Sequence, residues 1–289
     1  MRLRLAAGVA ALALTAGAVA SLASVPSGEL PGGGTEVYDD RRVVAFYGAP
    51  QSRQLGILGI GSPRKAGRRL ERMARRYERA GNREVLPAME LIAVIALANP
   101  GPGGKYRARQ SRSVIGRYLR AARRIDGLLL LDIQPGRSSF TDEVKALEPF
   151  LRRPRVGIAI DPEWSMGPGG VPGKGIGHVG AREVNRVSLL MNQIARERDL
   201  PEKLLIVHQF TESMVRHDNR ITSRAHVAVT MNADGFGSPS AKERVYERLA
   251  PRGRGLHPGF KLFFEEDTNL MSPKQVLRLN PEPELVIYE

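Results

Sequence analysis

Eight short runs rich in β-branched residues or leucine, each ending in polar or small residues, recur along most of this chain. They lie at residues 43–48, 90–98, 128–134, 156–163, 204–209, 226–234, 261–267 and 285–288. Between most of them lie helix-like stretches rich in Arg, Ala, Glu and Leu, at 63–80, 105–124, 142–151, 181–198, 241–249 and 273–279. Alternating strand and helix patterns argue for parallel pairing through right-handed crossovers. Eight strands in about 250 residues is the size of a (β/α)8 TIM barrel, with eight parallel strands inside and helices outside. A doubly wound open sheet is the competing architecture.

The fourth run shows what such a barrel would present at its mouth. Arg155-Val-Gly-Ile-Ala-Ile-Asp-Pro-Glu-Trp164 is apolar and then ends abruptly in two carboxylates, a proline and the chain's single tryptophan. Side chains on a strand alternate faces, so Gly157, Ala159, Asp161 and Glu163 share one face while Ile158 and Ile160 share the other. Small residues suit the crowded interior of a barrel, and large ones suit the face covered by helices.

Reading every run for the residue that emerges at its C-terminal end collects Tyr47, Asp132, Gln134, Asp161, Glu163, His208, Gln209, Asn232, Asp234, Glu265, Glu266, Asp267 and Tyr288. In a barrel these positions converge on the face where active sites are built. Parity places Asp132 with Gln134, and Asn232 with Asp234. His208 and Gln209 point opposite ways, so only one of them faces the axis. Carboxylates from several strands are costly to bring together unless they share protons or bind something cationic. The Gly/Pro-rich stretch 167–180 follows the acidic strand end and reads either as a lid over it or as an exposed connection.

The strand rhythm and these strand-end acids resemble glycoside hydrolases of the (β/α)8 superfamily, in which one catalytic acid ends the fourth strand and a second ends the seventh. The resemblance implies Glu163 as acid/base and Glu265 or Glu266 as nucleophile, the two carboxylates that retaining hydrolysis requires. It implies a glycan substrate, with Trp164 and Tyr47 as platforms for pyranose faces. Those enzymes usually carry Asn before the fourth-strand Glu, where this chain has Pro162. An alternative pair is Asp161 with Asp132, on neighbouring strands. Gln134, His208, Gln209, Asn232, Asp234, Glu266 and Tyr288 complete the expected substrate-binding set.

Two other readings compete. In a metal-dependent hydrolase, His208 and acids such as Asp161, Glu163 and Asp234 would hold a hard divalent cation. The five histidines are scattered, however, with no H-x-H or H-x-x-x-H spacing. Alternatively, a non-catalytic barrel would bind the cell envelope. No Gly-x-Ser-x-Gly elbow or P-loop occurs, and Gly59-Ile-Gly61 is too little for a nucleotide loop, so no cofactor is expected.

Residues 1–23 combine a charged start, a short apolar core and small residues at Ala18, Ala20 and Ala23, the pattern of a secretory signal peptide. Residues 24–40 read as a flexible leader and 41–289 as a single barrel domain. The expected location is secreted or extracytoplasmic, membrane-tethered if the signal segment is retained. The absence of cysteine excludes disulfides and a thiol nucleophile. The net charge of +14 falls largely on arginine-rich helices. That pattern suits a solvated outer ring or attraction to anionic envelope polymers. No nucleic-acid motif accompanies the charge, so no nucleic-acid partner is expected.

Overall fold

The structure, a computed structural model, describes residues 28–289. The expected signal segment and the start of the leader lie outside the described residues. Eight strands form the barrel: β1 (Arg41–Gly48), β2 (Glu84–Ala96), β3 (Leu128–Ile133), β4 (Val156–Ile160), β5 (Lys203–Gln209), β6 (Val227–Ala233), β7 (His257–Leu262) and β8 (Leu285–Tyr288). Each pairs in parallel with the next, and β8 returns to β1 through Val43 opposite Leu285 and Ala45 opposite Ile287. The sheet is therefore closed, and the chain is a (β/α)8 barrel rather than an open doubly wound sheet.

The helices are α1 (Pro63–Ala80), α2 (Arg112–Arg124), α3 (Phe140–Leu151), α4 (Ala181–Glu197), α5 (Pro239–Leu249) and the short α6 (Pro273–Val276). Serine starts most of them. The hydroxyls of Ser62, Ser111, Ser139 and Ser238 accept from backbone N–H groups in the first turns of α1, α2, α3 and α5, and proline takes the first helical position in α1 and α5. The helix expected at 105–124 begins only at Arg112. Arg107–Arg109 pairs antiparallel with β2 instead, and both arginines reach Glu143 on α3, Arg107 Nε at 2.8 Å and Arg109 Nε at 2.6 Å. Burial raises the Glu143 pKa, but the two guanidiniums outweigh it and hold the carboxyl below its ordinary value. An extended backbone is what lets alternate arginines meet one carboxylate.

Two apolar layers follow from strand parity. Met89, Leu131, Ile158, Val207 and Phe260 face outward into the layer under the helices. Val43, Ala45, Ala88, Leu130, Ala159, Ile206 and Ile287 fill the interior. Gly157 keeps the interior narrow. A Cβ there would lie 2.6 Å from the Leu204 carbonyl oxygen and 2.9 Å from Leu130 Cδ2. Gly157→Ala is therefore expected to destabilise the barrel by about 1–3 kcal/mol through overpacking. An unchanged urea midpoint would show that the strands can separate to admit a methyl group.

The described part of the expected flexible leader takes a different course. Leu30, Val37 and Tyr38 are buried against the interior layer. Tyr38 Oη meets Thr230 Oγ1 at 2.7 Å, Arg41 donates to the carbonyls of Pro31 and Gly33, and Val37 N donates to Glu202. This segment closes the N-terminal mouth of the barrel, because its apolar residues cover interior side chains that would otherwise meet water. Among the described residues no helix is long and apolar enough to cross a membrane.

Candidate active site

At the C-terminal mouth the interior turns polar. Asp132, His208, Asn232 and Lys261 succeed the apolar interior residues of β3, β5, β6 and β7. Glu90 succeeds Leu86 and Ala88 on β2, beside Tyr47 of β1. His208 holds the centre. Its Nε2 lies 2.7 Å from Glu90 Oε1, and its Nδ1 lies 2.9 Å from Asp234 Oδ2. Burial alone would lower the imidazole pKa. The Asp234 and Glu90 carboxylates more than reverse this and raise it well above the ordinary value, so the ring is a cation donating from both nitrogens.

The same charges separate the carboxyl groups into two kinds. Burial pushes Asp234 up, but His208 and Lys261 outweigh it and hold the group below its ordinary range as a carboxylate. Asn232 Nδ2 also donates to Asp234 Oδ1, and Lys261 Nζ lies 3.6 Å from Oδ2. Lys261 is raised despite burial by Asp234 and Glu289, the latter 2.7 Å away. Asp161 is pushed up to about 6 by burial against the lowering charge of His208, and Glu163 up to about 7 by burial and then by the charges of Asp161 and Asp234. Burial holds Asp132 well above the usual carboxylate range, and Tyr47 Oη donates to its Oδ2 at 3.0 Å.

Local sequence explains the placement of Glu163. Strand β4 stops at Ile160, Asp161 caps a single turn over Pro162–Trp164, and its Oδ1 accepts from Glu163 N at 3.2 Å. Proline at the first position of that turn fixes the backbone, so the carboxyl stands on a rigid corner. The glycine-rich segment folds back against it. Gly177 N donates to the Glu163 carbonyl at 2.7 Å, and Arg137 Nε holds the Gly170 carbonyl. Asp161, Glu163, Asp234 and Lys261 line a cavity of about 540 Å³ whose apolar walls include Trp164, Phe210, Phe236 and Phe263. Within the cluster, Glu90 Oε2, Asp132 Oδ1 and Asn232 Oδ1 are buried without a hydrogen-bond partner among the described residues. Glu90, Asp132 and His208 also offer ligand atoms within 4.8 Å of one another. A metal there would have to displace the protons that His208 shares with Glu90 and Asp234.

The mouth thus gathers Tyr47, Asp132, Gln134, Asp161, Glu163, Trp164, His208, Asn232 and Asp234 from the expected set. Five expected strand-end residues lie elsewhere, among them Asp267, whose carboxylate accepts from Gly237 N and Phe263 N and pairs with the buried Lys242. Strand β7 ends at Leu262, so Glu265 and Glu266 stand beyond it on an exposed loop, where Glu265 pairs with Arg53 at 2.6 Å. Gln209 points away from the axis toward the Leu249 carbonyl, because its neighbour His208 takes the inner face. Tyr288 also faces outward, its hydroxyl 2.8 Å from that of Tyr77 on α1. The sequence reading missed Glu90, Lys261 and Glu289. The signal for the first two was a charged residue inside an otherwise apolar strand.

No family model matches the chain, and no curated protein matches it. Among solved structures it is similar to a GH5 xyloglucan-specific endo-beta-1,4-glucanase from a metagenomic library, in complex with cellotriose. The two share 12% sequence identity at a TM-score of 0.36, with 76% of this chain and 77% of that chain covered. The architecture assigned to this chain rests on its own closed strand order, and the chemistry on the residues at its mouth.

Proposed function

We propose that the protein is a glycosidase-like hydrolase acting on a glycan at the C-terminal mouth of the barrel. One observation carries this reading. Glu163, which holds its proton up to about pH 7, and Asp234, a carboxylate below the ordinary range, line one aromatic-walled cavity. Titratable neighbours pushed apart in this way mark an acid and its ionised counterpart. Glu163 donates its proton to the leaving glycosidic oxygen. Asp234 meets the positive charge that develops at the anomeric carbon, as nucleophile or as base for water. His208 and Lys261 keep Asp234 ionised, and the charge of Asp161 helps keep Glu163 protonated. The nucleophile role thus passes from Glu265 and Glu266 to Asp234. A cell-envelope or environmental glycan is the proposed substrate, and an extracytoplasmic location belongs to the same proposal.

The test is release of reducing ends from a panel of envelope and plant polysaccharides, with and without chelator. Chelator-insensitive product supports the two-carboxylate reading. Chelator-sensitive product would transfer the chemistry to a cation at Glu90, Asp132 and His208, and binding without product would leave a recognition barrel.

The pH dependence follows from the same groups. The rate constant kcat/KM should fall above about pH 7 as Glu163 loses its proton, and should fall on the acid side only below the ordinary carboxylate range, where Asp234 protonates. A profile that still rises between pH 7 and 9 would remove Glu163 from the role of acid.

A further inference from the structure

Three depressions on the protein run into one another. The central cavity shares Gln54 and Glu289 with a second depression of about 280 Å³. That depression shares Ile57, Arg69 and Phe264 with a groove of about 570 Å³ along α1. One wall of the groove is Arg69, Arg72, Arg75, Arg76 and Arg79. Arg69, Arg72, Arg76 and Arg79 recur at intervals of three and four, so they form one stripe of the helix.

None of these arginines pairs with a carboxylate among the described residues. Arg72 reaches only the Arg68 carbonyl, and Arg76 only the Met73 sulfur. Arg107 and Arg109, by contrast, are matched to the buried carboxylate of Glu143. A row of unmatched guanidiniums concentrates positive potential in the groove and favours an anionic occupant. Guanidinium forks match carboxylate and phosphate oxygens in pairs. Phe46, Ile57 and Phe264 also line the groove, Phe264 with an exposed ring and the other two buried. Guanidiniums that share a groove with the exposed Phe264 ring suit a sugar ring that carries an acidic substituent better than a bare ion.

Two of the three carboxylates between groove and cavity are neutralised by cations, and Glu266 alone among them has no cationic partner among the described residues. In the middle depression Glu265 is paired with Arg53 and Glu289 with Lys261. We propose that the groove extends the catalytic cavity and binds the anionic stretch of a polysaccharide bearing carboxylate or phosphodiester groups, which makes the substrate class an acidic glycan. This inference rests on the glycosidase reading for its substrate, and on the groove alone for its binding.

The test compares the whole protein with Arg72→Glu/Arg76→Glu, and with Arg117→Glu/Arg120→Glu, an equal charge change at exposed positions on α2. Calorimetric titration uses oligogalacturonate, a glycerol-phosphate oligomer and neutral cello-oligosaccharide as probes. The expected result is binding of at least one acidic probe that weakens about tenfold or more in the α1 variant but not in the α2 variant. The two acidic probes distinguish carboxylate from phosphodiester. Equal weakening in both variants, or failure of both acidic probes to bind, would overturn the proposal. So would capture by phosphatidylglycerol vesicles that depends on the same arginines, which would assign the stripe to a lipid surface. Groove-dependent binding without hydrolysis would sustain the groove and sink the glycosidase reading. Hydrolysis of neutral glycans untouched by the α1 substitutions would do the reverse.

Discussion

Glu163→Gln is expected to lower turnover on an unactivated glycan by roughly 10²–10⁴-fold, the usual worth of a positioned general acid. The amide keeps the size of the side chain and removes only its proton. The backbone contacts that fix this corner, Glu163 N to Asp161 and Gly177 N to the Glu163 carbonyl, do not involve the carboxyl. The melting temperature should therefore stay close to that of the native protein. Removing a carboxyl whose pKa is raised to about 7 also relieves a desolvation cost that the native protein bears above the ordinary carboxylate range. Any stability change near pH 8 should thus favour the variant. The loss should depend on the leaving group. An aryl glycoside with a strongly acidic phenol departs without a proton, so its hydrolysis should fall far less than that of a glycan. The alkaline fall in kcat/KM near pH 7 should disappear with the carboxyl. Equal losses on activated and unactivated substrates would mean that Glu163 positions the substrate rather than protonating it.

The barrel was legible because its evidence is periodic. Alternation along Val156–Ile160 put Gly157 and Ala159 inside and the isoleucines outside, and the same parity carried Asp132, His208, Asn232 and Asp234 to the mouth. Errors arose where a strand end had to be located within a few residues. On β7 the apolar pattern runs on through Phe263 and Phe264, so the end was read at Glu265 to Asp267 rather than at Leu262. A shift of that length replaces Lys261, a cation inside the cavity, with the exposed Glu265 and Glu266 and with Asp267, which pairs with Lys242, and it inverts the charge assigned to that wall. On β2 the expected start at Glu90 concealed its inward position, since Leu86 and Ala88 were not counted in the strand. Burial of the leader was not legible either. Gly, Pro and Ser signal turns, and nothing local indicates that Leu30, Val37 and Tyr38 will find an open barrel end to cover. The charges of the carboxyl groups lay further still from the sequence. Asp161 and Asp234 are the same residue at similar strand ends, and the direct contacts of Asp234 with His208 and Lys261 hold it below the ordinary carboxylate range while burial leaves Asp161 raised to about 6.

His208→Ala should cost about 3–5 kcal/mol at pH 6, because it leaves Glu90 and Asp234 buried without the cation between them. The pair is inaccessible, with side-chain exposure of 1% for His208 and 0% for Glu90, so water cannot take over the lost contacts without opening the mouth. The sign of the pH dependence is fixed by the two shifts. His208 is raised in the folded protein, so its contribution is complete below the ordinary histidine value of about 6.5 and declines as pH rises toward its folded pKa. Asp234 is lowered, so its contribution is complete above the ordinary value of about 3.9 and declines as pH falls through its folded pKa. The stability difference between native protein and variant should therefore be largest between about pH 4 and 6.5 and shrink on both sides. Chemical denaturation across that range measures it. Glu90→Gln/His208→Gln is the informative companion, since two amides of similar reach can hydrogen-bond to each other and the only charge left without the imidazolium is Asp234, which keeps Lys261 beside it. The double variant should be more stable than His208→Ala while losing activity, because Asp234 no longer has the imidazolium that keeps it ionised. If His208→Ala unfolds at the native denaturant midpoint at pH 6, the imidazolium bridge is not what holds the mouth of the barrel together.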